Sequence, residues 1–366
     1  MSGVVRNLPA RQFIVWRIVC LLLLWLWVDS VSSATRQSGV PGPGITRETL
    51  AIIVNDDDPQ SREVARYYQA RREIPAANII HVSFAPGMSA MSKPTFEKIK
   101  KDVAARTPAN IQAYVLTWTA PYRVECMSIT TAFAMGFNKK FCSQNCSATW
   151  PNTYFNSDSH APYSDHGIRP TMALAGISVE EVKKLIDRGL SSDASFPRGT
   201  GYLVSTSDKA RNVRAELYPT IREYLGGKLN LQIVQADEIR DRHDVLFYFT
   251  GIASVRGLKT IRFLPGAIAD HLTSAGGQLT DSGQMSSLRW LEAGATGSYG
   301  TVVEPCNLLG KFPSPGIVMT HYLLGSPLIE AYWKSVGMPG EGIFIGEPLA
   351  RPFENHQRPG SASKAN

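Results

Sequence analysis

Apolar and polar positions fall into alternating blocks from residue 50 onward. Leu50-Ala-Ile-Ile-Val54 is a short continuous apolar run, the pattern of a strand buried on both faces, and it ends in the turn-rich cluster Asn55-Asp-Asp-Asp-Pro59. Ser61 then reads as a helix N-cap with Glu63 in the first turn, and Val64, Tyr67 and Tyr68 share one side of a helix to about Arg72. Ile74-Pro75 stops it, because the residue before a proline avoids helical geometry. Ile79 to Val82 reads as a second strand, Lys93 to Arg106 as a second helix with Pro94 near its start, and Ile111 to Trp118 as a third strand. The rhythm resumes at Thr171–Ala175 (strand), Val179–Arg188 (helix), Tyr202–Ser205 (strand) and Lys209–Tyr224 (helix). Leu229–Val234 and Val245–Phe249 are further strands. Pro265–Leu272 reads as a helix start, Leu288–Ala293 as a helix, Gly297–Val303 as a late strand and Tyr322–Val336 as a late helix. Strands alternating with helices at this spacing predict an α/β fold with a mostly parallel sheet and helices on both faces.

Two stretches depart from that pattern. Residues 119–170 form a long irregular insertion carrying Cys126, Cys142, Cys146 and the run Asn156-Ser-Asp-Ser-His160-Ala-Pro-Tyr-Ser-Asp165-His166. An excursion of that length inside a compact domain reads as a functional loop or lid. The N-terminus is an address. Arg6, Arg11 and Arg17 precede the apolar run Ile18–Val28, and Asp29-Ser-Val-Ser-Ser-Ala34 follows. That is the order of a secretory signal, here residues 1–34, cleaved after Ser33 or Ala34. The apolar run is too short to cross a ~30 Å hydrocarbon core. The alternative is an uncleaved anchor with Trp25 and Trp27 at the interface, the only membrane association the chain invites. Residues 35–46 read as a Gly/Pro linker, 47–353 as a single α/β domain and 354–366 as a disordered tail.

Composition narrows the classes. With 43% hydrophobic and 19% charged residues the chain is globular, and 5 Cys in 366 residues exclude a disulfide-stapled mini-domain. The 38 basic and 31 acidic residues leave a mild, scattered excess. Export and scatter together argue against a nucleic-acid partner. After cleavage four cysteines remain in an oxidising compartment: Cys126, Cys142, Cys146 and Cys306, enough for two disulfides in any of three pairings. Cys142 and Cys146 have the wrong spacing for zinc, and Asn145-Cys146-Ser147 is a sequon only in a glycosylating host.

No GxxxxGK[ST], GxGxxG after a first strand, HExxH or GxSxG occurs, so neither a nucleotide cofactor, a zincin nor an α/β-hydrolase is read. His160, Asp165 and His166 have metal-ligand composition but sit as loop turn-formers, and no metal or cofactor is expected. The densest cluster of candidate chemistry is C-terminal: Asp270 and His271, then Ser274, Glu304, Cys306 and Lys311. Ligands of open α/β sheets bind at the carboxyl ends of strands. Asp270, His271, Glu304 and Cys306 are therefore the catalytic candidates, with Cys306 and a histidine as a nucleophile–base pair. Cys306 reads more readily as half of a disulfide and His271 as a capping or packing residue, and Glu304 reads equally as a buried structural carboxylate. Asn55, Asp57, Trp118, Tyr122, Arg123, Thr250, Ser274 and Lys311 are the substrate-binding candidates.

Three blocks look like a family of uncharacterised secreted bacterial proteins associated with genomes that carry the exosortase sorting system. They are Val54-Asn-Asp-Asp-Asp-Pro-Gln-Ser61 through Asn78-Ile79, Gly266-Ala-Ile-Ala-Asp-His-Leu-Thr-Ser274 through Ala293-Gly-Ala-Thr-Gly-Ser-Tyr-Gly-Thr-Val-Val-Glu-Pro-Cys306, and Lys311-Phe-Pro313 with Gly346-Glu-Pro-Leu-Ala350. The resemblance implies a Gram-negative exported protein, periplasmic or extracellular, and no established activity. At the level of fold the chain also resembles caspase-like and gingipain-like peptidases, with a Rossmann-like three-layer sheet as the alternative. Those peptidases keep a His-Gly after one strand and a Cys after the next. The matching places here read as Tyr248-Phe-Thr250-Gly251 and Phe263-Leu-Pro265-Gly266, with neither the His nor the Cys. Two functions follow. One is a hydrolase or transferase acting on exported protein or surface polysaccharide. The other is a non-catalytic binding or assembly factor on a degenerate peptidase-like scaffold. The residues leave open whether the protein is an enzyme.

Overall fold

The computed structural model describes residues 44–354 except Asn145 and Asp281. The signal segment, most of the linker and nearly all of the C-terminal tail read from the sequence lie outside the described residues, as does the sequon asparagine. The main sheet has ten strands: β1 (Leu50–Asn55), β2 (Ile79–Val82), β4 (Ala113–Leu116), β7 (Thr171–Ala173), β8 (Thr200–Ser205), β9 (Asn230–Gln235), β10 (Val245–Thr250), β11 (Phe263–His271), β12 (Gly297–Thr301) and β13 (Gly342–Gly346). A small second sheet holds β3 (Ala90–Met91), β5 (Arg123–Val124) and β6 (Met127–Ser128). The order of the large sheet is β2-β1-β4-β7-β13-β12-β11-β10-β8-β9. It has two halves. In one, β2, β1, β4 and β7 pair in parallel; in the other, β9, β8, β10, β11 and β12 do. β13 joins them, antiparallel to β12 and meeting β7 through the single bridge Ile345–Ala173. In each half the chain steps outward once, from β1 to β2 or from β8 to β9, and then returns past its starting strand. The winding therefore reverses twice, between β1 and β4 and between β8 and β10. Such reversals open crevices at the strands' carboxyl ends.

Every residue of β1, β4, β7, β10, β12 and β13 is buried, which requires cover on both faces of the sheet. The helices supply it: α1 (Pro59–Arg72), α2 (Lys93–Arg106), α3 (Ile129–Met135), α4 (Pro162–His166), α5 (Val179–Ser192), α6 (Tyr218–Leu225), α7 (Leu288–Ala293), α8 (Pro315–Leu323) and α9 (Leu328–Ser335). Adjacent residues of β11 show the two faces. His271 points toward Trp290 of α7, while Asp270 points toward Arg214, just before α6.

Several local expectations are corrected. Asp58, not Ser61, caps α1 by accepting the Gln60 N–H at 2.9 Å. Ser61 is buried instead, accepting the Asn55 N–H and bonding Thr117 at 2.7 Å. The segment Pro265–Leu272 is strand, not helix. Pro265 lies where the β10–β11 register jumps from Val245–Phe263 to Phe247–Ile268, and pairing with β12 begins only at Ile268. A residue without an N–H is tolerated at such an irregularity. The late helix is two helices, α8 and α9, separated at Gly325-Ser326-Pro327. β13 has no counterpart in the reading of the sequence. Ile45, at the end of the segment read as a linker, is buried and donates its N–H to Glu330 Oε1 at 2.6 Å.

Candidate functional site

Residues that follow β1, β2, β4 and β7 (Asp58, Gln60, Pro86, Thr119, Gly176) share a depression of about 500 Å³ with Leu279, Thr280, Leu288 and Arg289 of the other half. A separate depression of about 250 Å³ lies at the second half's strand ends. Its lining includes Arg211, Thr273, Ser274, Glu304, Asn307, Phe312 and the Cys146–Cys306 disulfide. Of the candidates read from the sequence, Ser274, Glu304 and Cys306 line the second depression and none lines the first.

The candidates of the first half are used internally. Asn55 is buried; its Nδ2 donates to Phe84 O at 2.9 Å and its Oδ1 accepts the Phe84 and Asp57 N–H groups at 3.1 and 3.3 Å. Asp57 accepts the Ser83 hydroxyl. Trp118 is buried, donates Nε1–H to Pro121 O at 3.2 Å and meets Phe84 edge to face. Tyr122 is buried, and half-buried Arg123 on β5 donates to the Glu125 carbonyl at 2.7 Å. Each holds a loop in place, as Asx-type turn chemistry does.

Beneath the loops that follow β10 and β11 the interior is charged and closed. Arg214 and Asp270, each 2% exposed, form an ion pair at 2.6 Å. Arg214 also donates to the carbonyls of Thr250 at 2.5 Å and Pro313 at 3.3 Å, tying the ends of β10 and β11 to the chain before α8. Burial pushes the Asp270 carboxyl up, against the opposing pull of the Arg214 guanidinium. Thr250 is fully buried, and its hydroxyl has no partner among the described residues. His271 is buried with both ring nitrogens engaged. Nδ1 accepts the Trp290 indole N–H at 2.9 Å and Nε2 lies 3.0 Å from Met285 O, which fixes a neutral ring carrying its proton on Nε2. Burial lowers its pKa to about 4. Lys311 is buried on Glu341 at 3.1 Å, away from the rim.

What faces the second depression is a hydrogen-bonding surface. Arg211 pairs with Asp208 at 2.9 Å and donates Nε–H to Thr273 Oγ1 at 3.1 Å. Thr273 donates to Gln284 Oε1 at 2.6 Å, and the same oxygen accepts the Ala275 N–H at 2.9 Å. The loop after β11 is thus stapled to the segment before α7. Gly277 lets it lie against the sheet, since a Cβ there would stand 2.7 Å from Gly300 O. Glu304 is exposed and accepts the Cys306 N–H at 2.7 Å. Half-buried Ser274 and exposed Asn307 complete the wall.

Two catalytic candidates are corrected by this geometry. Cys306 is bonded to Cys146 and carries no thiol. His271 has no nitrogen free to accept a substrate proton. Phe263-Leu-Pro265-Gly266 lies inside β11, whose end is His271, and not at a strand end. His160, Asp165 and His166 bond separately to Glu330, Ser159 and Ser157. Arg211 and Arg214 were not singled out in the sequence. They lie three apart across a 3₁₀ turn (residues 212–217 and the residue before it), a spacing that stacks side chains on one side. One reaches the rim and the other enters the core.

No family model matches the chain, and no curated protein does. Among solved structures, the chain is similar to the complex of Porphyromonas gingivalis RgpB pro- and mature domains, at 9% identity and TM-score 0.44, over 82% of this chain and 79% of that one. It is also similar to a structure described as that of a protease, at 11% identity and TM-score 0.42, over 85% and 79%. The resemblance to gingipain is distant and structural. No residue's role is taken from it.

Proposed function

We propose that the chain is an exported, non-catalytic binding or assembly factor on a peptidase-like scaffold, and that its second strand-end depression takes a segment of another exported protein. The observation that carries this reading is the commitment of His271. At the end of β11, next in the chain to Leu272 and Thr273 of that depression, its two nitrogens are spent on Trp290 and Met285, and no histidine among the described residues lines the depression itself. A general base needs a nitrogen within hydrogen-bond reach of the proton it removes. All four cysteines among the described residues are in disulfides, so no thiolate is available there either. What remains at the rim is a guanidinium, a carboxylate, an amide and a hydroxyl over the apolar ring of Phe312 and a disulfide, a combination suited to holding an extended backbone. Export is supported by the basic, apolar and small-residue order of residues 1–34 and by the two disulfides, which fit an oxidising compartment. The resemblance to exosortase-associated proteins points the same way.

Covalent probes test the reading. The purified chain is incubated with a fluorophosphonate for activated hydroxyls and with iodoacetamide for activated thiols. Neither should label the folded protein. Labelling that disappears in Ser274→Ala or Thr273→Val would overturn the proposal in favour of a hydrolase.

A further inference from the structure

The two disulfides differ in span, place and exposure. Cys126–Cys142 closes 16 residues within the insertion and includes a buried cysteine. Cys146–Cys306 joins residues 160 apart, spans from the insertion to the loop after β12, and forms part of the wall of the second depression. Cys146 is exposed and Cys306 half-buried. Both hold left-handed backbone, at φ 60° and 59°, a region that residues with a Cβ seldom occupy. The loop carrying Cys146 is anchored at its ends, where the Ser143 N–H donates to Glu341 Oε1 at 2.5 Å and the Trp150 N–H to the Lys140 carbonyl at 2.9 Å. Cys306 N–H rests on exposed Glu304, and Asn307 reaches the Ala210 carbonyl at 3.3 Å. The sheet beneath does not depend on the bond, because β12 is fixed along its length by β13 and begins on β11.

We infer that Cys146–Cys306 is an exchangeable clasp, the site at which a dithiol reductant acts on this protein, and that its opening widens the second depression. A thiolate of the dithiol attacks Cys146 Sγ from the solvent side. The Sγ–Sγ bond breaks and its electron pair leaves on Cys306, which takes up a proton. The reductant's second thiol then displaces Cys146 from the mixed disulfide, and Cys146 is protonated in turn. The chain gains two thiols and the dithiol becomes a disulfide, so the exchange balances. With the bond open, both cysteines can leave the left-handed region, and the 143–149 and 303–308 loops are free to part. The inference takes from the proposed function only that this depression is the ligand-facing one, and its readouts need no ligand.

The test uses the purified full-length oxidised chain. It is exposed to dithiothreitol under native conditions, quenched at intervals with N-ethylmaleimide and mapped by mass spectrometry. Cys146 and Cys306 should be alkylated about tenfold faster than Cys126 and Cys142, as expected for an accessible against a shielded disulfide. Hydrogen exchange should then rise in residues 303–308 and 143–149 and stay unchanged in β10 and β12. The double variant C146S/C306S should show the same raised exchange and retain one cooperative unfolding transition. Equal rates for the two pairs, earlier opening of Cys126–Cys142, unchanged exchange after selective opening, or an unfolded double variant would each overturn the clasp. Covalent-probe labelling would sink the non-catalytic reading and leave these outcomes untouched.

Discussion

The two strand-end crevices occupy equivalent positions in the winding of the sheet, yet they are built from different forces. At the end of β1 the loop is held by neutral hydrogen bonds: the Asn55 side chain bridges Phe84 and Asp57, and Thr119 Oγ1 bonds the Gly176 carbonyl at 2.8 Å. At the ends of β10 and β11 the hold is a buried ion pair, Arg214–Asp270, with a neutral buried histidine on the opposite face of the same strand and a disulfide above. The shared topology makes a crevice in both places. Whether its polar residues look outward depends on how much polarity is consumed in closing the loops. In both halves, the residues most conspicuous in the sequence are consumed in this way.

The contrast can be broken first by Asp270→Ala. That change leaves Arg214 charged and buried without its partner, a loss of about 3–5 kcal/mol in unfolding free energy, read by denaturant titration. A loss below ~1 kcal/mol would mean that the pair is solvated and that the second crevice is no more charged than the first. Asn55→Ala is the matching change at the first crevice. It strands the buried Phe84 N–H and C=O, and the expected cost is smaller, about 1–3 kcal/mol by the same titration. If it exceeded the loss from Asp270→Ala, the division of forces drawn here would be reversed.

Much of the architecture is legible from the chain. Continuous apolar runs bounded by turn residues locate β1 and β10, because a covered parallel sheet leaves its strands no polar face, while β2, at the edge with His81 exposed, and the helix Lys93–Arg106 are located by the turn and cap residues around them. The same reasoning fails at Pro265-Gly-Ala-Ile-Ala, where small residues and a proline suit a helix start locally. Pairing with β10 on one side and β12 on the other decides for strand. β13 escapes because Gly342-Ile-Phe-Ile-Gly346 is only three apolar residues between glycines and is defined by its antiparallel partner. The chemistry is less legible than the fold. His271, Asp270 and Cys306 stand out by residue type, but their roles are set by Trp290, Arg214 and Cys146, which lie 19, 56 and 160 positions away. Arg211 and Gln284 shape the rim through Thr273. No spacing in the sequence announces either.

The central claim is that the buried histidine at the end of β11 is a strut. Burial lowers its pKa to about 4, so the folded ring refuses a proton that the unfolded ring accepts below about pH 6.5. Within that window the unfolded state binds more protons. Stability therefore falls as pH falls, by up to ~1.4 kcal/mol per unit from this residue, and the loss is complete below pH 4. The most direct measurement is an NMR titration of the His271 ring nitrogens between pH 8 and pH 5, assigned by comparison with His271→Gln. The account predicts a neutral ring throughout, protonated on Nε2 and bare on Nδ1. An apparent pKa between 6 and 7, or a proton resident on Nδ1, would show a ring free to exchange protons with the crevice and would contradict it.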